Sequence, residues 1–189
     1  MTVSLFKQYP EEANIVGRIL AGYTDVECAL MNLVAVAIGD LDTVLKVMYK
    51  TNKAADRIEI ANALGRRSFH ARELETEFQT AIVAMKYCTK IHHQFGHCIW
   101  SEDSENMRIG FVNLPEIAEL DVKIKNLERL TKHWLTPELL EAQEDYFVQT
   151  TRFLSWLDWE CRVQDGNARI NPVTDALLPE QPSLYVSDA

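Results

Sequence analysis

Residues 10–39 read PEEANIVGRILAGYTDVECALMNLVAVAIG, and this stretch decides the fold class. Its apolar side chains recur at Ile15, Ile19, Tyr23, Val26, Leu30, Leu33 and Ala37, in steps of three and four that place them on one face of an α-helix. Glu11 and Glu12, just after Pro10, complement the positive end of such a helix, and Gly39 supplies its stop.

The same period recurs on the C-terminal side of this helix. Asp40 is placed to cap a short helix carrying Val44, Leu45, Val47 and Met48. After the polar break Thr51-Asn52-Lys53, a third helix runs through Ile58, Ala61 and Leu64 to Gly65. A fourth is expected from Ser68 to about Trp100, with Leu74, Phe78, Ala81, Met85, Cys88, His92, Phe95 and Ile99 on one stripe. Residues 102–106 read as a polar loop. Only 107–114, MRIGFVNL, alternates in a way that suits a short extended segment, and no partner strand is evident. Helix is expected again from Ile117 to Leu130. Thr136-Pro137-Glu138 then combines a capping hydroxyl, a proline for the first helical position and an early acid, opening a last helix to about Val163.

These elements predict an all-α, up-and-down helical bundle over residues 1–166, since short polar breaks make successive helices antiparallel neighbours. Residues 167–189 contain Pro172, Pro179 and Pro182 and read as an extended C-terminal tail. The chain has 189 residues, 47% of them hydrophobic, enough for one sizeable core. With 28 acidic and 19 basic residues its formal net charge is -9, which argues against a general nucleic-acid coat or an anionic-membrane binder and leaves room only for a local basic site; neither DNA nor a membrane is an expected partner. Cys28, Cys88, Cys98 and Cys161 are widely spaced, with no CxxC pair, and read as reduced thiols. The N-terminus lacks a secretory pattern, and the tract Ala29–Ile38 is short of the roughly 20 apolar residues that cross a bilayer, so a cytoplasmic address is expected.

One segment stands above this structural background: Lys86-Tyr-Cys-Thr-Lys-Ile-His-His-Gln-Phe-Gly-His-Cys-Ile-Trp100, with three of the five histidines in six positions. On a helix His93 and His97 lie one turn apart on one face, with Lys86, Lys90 and Trp100 beside them, while His92 turns toward the apolar stripe.

The run His92-His93-Gln94-Phe95-Gly96-His97-Cys98-Ile99-Trp100 resembles the Arg-Asn-x3-His motif of the HEPN superfamily, in the variant with a tryptophan three residues past the histidine. By this resemblance His97 takes the place of the family histidine, His93 that of the asparagine and His92 that of the arginine. The resemblance implies an all-helical, homodimeric module, RNA-associated or serving dimerisation, that needs no cofactor. Active relatives are metal-independent ribonucleases in which histidine and arginine line a composite cleft. Here the implied catalytic residues are His97, His93 and His92, with Lys86, Lys90 and Trp100 binding substrate. Because His92 lacks the guanidinium fork that grips two phosphate oxygens, the expectation is a degenerate module with residual cleavage. Tyr23 and Glu27, in phase with Ile19 and Leu30 on the first helix, are expected to support a histidine by hydrogen bonding.

Two other readings compete. The i,i+4 pair His93 and His97, with Cys88 one turn before His92, has the spacing of a histidine-based metal site but lacks a recognisable third ligand, so no metal is assigned. A purely structural interaction protein would use His92 as a satisfied core histidine and Trp100, Trp134, Trp156 and Trp159 as packing anchors.

Overall fold

A computed structural model describes residues 2–119 and 130–186. The protein is predominantly helical, with seven helices and three strands among the described residues: α1 Thr2–Gln8, α2 Pro10–Ile38, α3 Leu41–Met48, α4 Ala54–Ala71, α5 Glu75–Gly96, β1 Cys98–Asp103, β2 Arg108–Asn113, α6 Leu114–Glu119, β3 His133–Leu135 and α7 Pro137–Gln164. It is not all-α, because the strands form an antiparallel sheet of order β1-β2-β3.

The start signals act where their chemistry requires. Asp40 caps α3 by accepting from the Thr43 backbone N–H at 3.1 Å, and the Thr136 hydroxyl accepts from the Leu139 N–H at 3.2 Å at the start of α7. The stripe of α2 is buried from Ile15 to Leu33. By length and composition α2 is also apolar enough to cross a bilayer, a test that a core helix passes equally well.

Two expectations on helix boundaries are corrected. The third helix does not stop at Gly65 but continues as α4 to Ala71, because Gly65 lies against the rings of Phe69 and Phe78, where a Cβ would come within 2.7 Å of Phe78 Cζ. The following helix, α5, ends at Gly96 rather than Trp100, which belongs to β1. The 107–114 segment gains its partners as β2: Trp100 pairs with Phe111 on one side, and Gly110 with Trp134 on the other. Asp103 holds the β1–β2 turn, accepting from Asn106 Nδ2 at 2.7 Å and Arg108 Nε at 3.0 Å, which bring its carboxyl down to about 2. Of the helix expected from Ile117 to Leu130, residues 117–119 lie in α6, Leu130 is outside any helix, and 120–129 lie outside the described residues.

The chain divides into two compact units. The first comprises the described residues of Met1–Ala21, Lys90–Asp145 and Gln181–Ala189. Its core holds the sheet: Ile109, Phe111 and Leu135 are buried with Ile19, Ile91 and Phe95. Phe111 meets the rings of Phe95, Trp100 and His133 with centroids 5.4–6.1 Å apart. Arg18 joins α2 to α7 through a two-pronged bond to Glu144, at 2.5 and 2.7 Å.

The second unit comprises Gly22–Thr89 and Tyr146–Glu180. There α2, α5 and α7 meet through Tyr23 with Phe147, Tyr87 with Tyr146, and the hydrogen bond of Tyr23 with Thr89. Phe69 and Phe78 stack at 4.1 Å between α4 and α5. Residues 167–183 form no helix or strand, but two parts of them are tied down by polar contacts. In the second unit Asn171 Nδ2 donates to the Trp156 carbonyl at 3.0 Å and to Glu160 Oε1 at 2.7 Å. In the first, Gln143 Nε2 donates to the carbonyls of Ser183 and Leu184, and the Val186 N–H donates to the Trp134 carbonyl at 2.9 Å.

Candidate functional site

The chain leaves α5 through two backbone bonds centred on His97. Its N–H donates to the His93 carbonyl at 3.1 Å, completing the last helical turn, and its carbonyl accepts from the Leu114 N–H at 3.1 Å. His97 is therefore the hinge residue between α5 and β1, with its backbone fixed on both sides. The second of those bonds, with the pairing of Cys98 to Asn113, draws the end of β2 and the start of α6 alongside the last turn of α5.

What results is a cavity of about 390 Å³ lined by Lys90, His93, Gln94 and His97 from α5 and its exit, Asn113 and Pro115 from the β2–α6 junction, and Leu184 and Tyr185 from the C-terminal segment. Its size falls within the roughly 300–1,000 Å³ of small-molecule sites. Tyr185 is held in the wall by its ring, 3.9 Å from that of the buried His133. The His93 and His97 rings meet edge to face at 6.0 Å.

Electrostatics separate the histidines. Burial, then the neighbouring His93 and His97, lower the His92 pKa from the usual histidine value. His93 is lowered as well, by partial desolvation first and by His97 second. Both are thereby biased toward the neutral imidazole, which accepts a proton rather than carrying one at neutral pH.

The residues singled out from the sequence separate into two groups. His93, His97 and Lys90 line the one cavity. His92 is half-buried and lies outside the cavity wall, its ring 5.8 Å from that of His93. Trp100 is not on the helix face with them: on β1 it stacks on Phe95 at 5.8 Å and meets the edge of Phe6 at 4.9 Å, as a packing anchor does. In the second unit Lys86 pairs with Glu59 at 2.6 Å, Tyr23 shares a buried hydrogen bond with Thr89 at 3.0 Å, and Glu27 accepts two bonds from the Arg57 guanidinium.

Gln94, Asn113, Pro115, Leu184 and Tyr185 were not apparent as site residues in the sequence. For Gln94 the signal is its phase, since Lys90, Gln94 and His97 follow one another at i, i+4 and i+7. For Tyr185 it is the short apolar run Leu184-Tyr185-Val186 after Pro182.

Among the described residues no three His, Cys, Asp or Glu side chains come together in a way that would hold a metal ion. Cys88, weighed as a ligand beside His92, is fully buried and bonded to Thr150, and burial pushes its thiol up to about 12, where thiolate is scarce. Two further cavities, about 360 and 420 Å³, lie in the second unit and share Asn32 and Arg162. They contain no histidine, and Arg162 is already paired with Asp158 at 2.6 Å. No protein-family model, curated protein or solved structure matches the chain.

Proposed function

We propose that the protein is a HEPN-like, RNA-associated helical module, and that the cavity at the end of α5 binds a phosphodiester of single-stranded RNA and cleaves it slowly without a metal. The observation that carries this reading is that two imidazoles and an ammonium, His93, His97 and Lys90, line one cavity of substrate size.

In the chemistry such a set can perform, neutral His93 takes the proton of the ribose 2′-hydroxyl as its oxygen attacks phosphorus. The bond from phosphorus to the 5′-oxygen breaks, and His97, acting as the general acid, gives that oxygen a proton, leaving a 2′,3′-cyclic phosphate and a 5′-hydroxyl. Lys90 supplies the positive charge that the family draws from arginine, as a point charge without the bidentate fork, and this is why the rate is low. By the same family resemblance the working form is a cytoplasmic homodimer. The finer description of the fold as an up-and-down bundle belongs to this proposal too, supported by the adjacency of α2, α5 and α7 in the second unit.

Because the protein is acidic overall and Lys90 is the only Lys or Arg among the described residues of the cavity wall, binding should involve few phosphates. The salt dependence of log K for a labelled single-stranded RNA is then expected to be shallow, about -0.7 per phosphate neutralised. Fluorescence anisotropy checks this: Lys90→Ala should weaken binding and flatten the slope by about one such step. Equal affinity and slope in Lys90→Ala and wild type would remove the cavity from RNA binding.

A further inference from the structure

The second unit keeps an apolar surface that its own core does not use. Ile38, Leu41, Leu45, Val47 and Tyr49, five large apolar side chains within residues 38–49, are 39–50% exposed. Among the described residues the much longer helices α5 and α7 expose one each, Val83 and Val148. Scattered apolar side chains are ordinary on a protein surface, whereas a contiguous group marks a contact.

The group is ordered by α3. Val44 and Met48 turn inward and are buried, and Leu41, Leu45 and Tyr49 follow at i, i+4 and i+8 as an exposed row beside them. On the outer flank of that row stand Asp42 toward the N-terminus and Lys46 toward the C-terminus, paired with each other yet 70% and 71% exposed. Tyr49 is held in place, since the Arg57 guanidinium lies 5.2 Å from its ring centroid and is itself fixed by Glu27 at 2.6 Å. At the other end of the row Leu41 lies in the wall of the cavity of about 360 Å³, with Ala35, Val36 and Gly39.

The charges of this face match those of a second copy of the same face. A two-fold axis perpendicular to α3 sets two copies of the helix antiparallel, and acid toward one end with base toward the other is then self-complementary: each Asp42 faces the partner's Lys46. With the axis beside Leu45, Leu41 meets the partner's Tyr49 at the mouth of the cavity. We propose that the α3 face is a self-association surface, on which a second copy of this chain docks antiparallel through Leu41, Leu45 and Tyr49. The contact uses no residue of the cavity at the end of α5, so it is separate from the composite cleft that the family resemblance implies. A row of three side chains covers less than the roughly 800 Å² per partner of a standard interface, so the association is weak, with Kd on the order of 10–100 μM.

The test is sedimentation equilibrium of the full chain from about 5 to about 500 μM, a range that brackets this Kd. Asp42→Lys and Lys46→Asp should each weaken self-association about tenfold or more, because two attractions at the rim become two repulsions. An equimolar mixture of the two variants should associate at least as tightly as wild type, since every pair across the axis is then of opposite sign. Leu45→Lys should abolish association in the same range. Should a variant fail to fold, the Leu41 and Leu45 methyl signals of wild type still report the contact by shifting with concentration. Wild type that stays monomeric throughout, variants that associate like wild type, or a mixture no tighter than either variant alone would each overturn the proposal. Dimerisation that none of the substitutions alters would overturn it while leaving the composite cleft of the family reading intact.

Discussion

The two ends of α5 make different uses of one helical stripe. From Phe78 to Cys88 the stripe is wholly apolar and buried, with Phe78, Ala81, Met85 and Cys88 at 0% exposure. From Lys90 to His97 the helix still buries Ile91 and Phe95, but the adjoining face carries Lys90, His93, Gln94 and His97 into a cavity wall. The difference teaches that a helix can be anchored by one face and carry chemistry on the next, one residue of phase away. It also locates the chemistry: just past the helix end, at His97, the backbone is held by His93 and Leu114, and Lys90, His93 and His97 stay exposed beside the buried Gln94.

The comparison is broken most severely at the packed end. Phe78→Ala removes a fully buried ring that stacks on Phe69 at 4.1 Å, and should cost about 3–5 kcal/mol in denaturant unfolding. Cleavage per folded molecule should be unchanged. A loss of cleavage greater than the loss of folded protein would mean that the two ends of α5 do not divide the work.

A smaller effect is expected at the sheet that backs the cavity. At Gly110 an added Cβ would lie 2.5 Å from Trp134 Cε3 and 2.7 Å from the His133 carbonyl oxygen, and a backbone atom cannot swing aside. Gly110→Ala should destabilise by about 1–3 kcal/mol and displace β3, whose His133 supports Tyr185. Thermal unfolding would measure the first effect, and broadened Tyr185 ring signals the second. An unperturbed Tyr185 would detach the sheet from the site.

The mildest probe is pH. His93 has its pKa lowered, so as pH falls it stays neutral beyond the usual histidine midpoint of about 6.5. If His93 is the base, the acid limb of the cleavage profile should have its midpoint below about 6.5 and vanish in His93→Ala. The lowered values of His92 and His93 also mean that the unfolded chain binds more protons than the folded one over that range. Their contribution to stability is therefore complete above about 6.5 and is lost as pH falls through the folded values. A chevron series from pH 7.5 to 5.5 should follow that sign, and stability rising toward acid would contradict it.

The helices α2, α3 and α7 were legible because their signals are local: a stripe of period 3.6, the Asp40 cap, and Thr136-Pro137 at a helix start. The sheet was not, for reasons that can be traced to single residues. Cys98-Ile99-Trp100 continues the apolar spacing of α5, so β1 reads as helix until its pairing with β2 is known. The partner on the other edge, His133-Trp134-Leu135, is too short to display an alternation. Similarly, the histidine half of the site follows from spacing along one helix. The other half depends on contacts more than fifteen residues away in sequence, from Asn113 and Tyr185, which no local pattern encodes.

The most direct measurement is RNA degradation by the purified chain in excess chelator, comparing wild type with His97→Ala. The account predicts cleavage that survives chelation, yields 2′,3′-cyclic phosphate ends, and falls by about 10²–10⁴ in the variant. Absence of cleavage by both proteins would contradict it and leave a helical interaction module without catalysis.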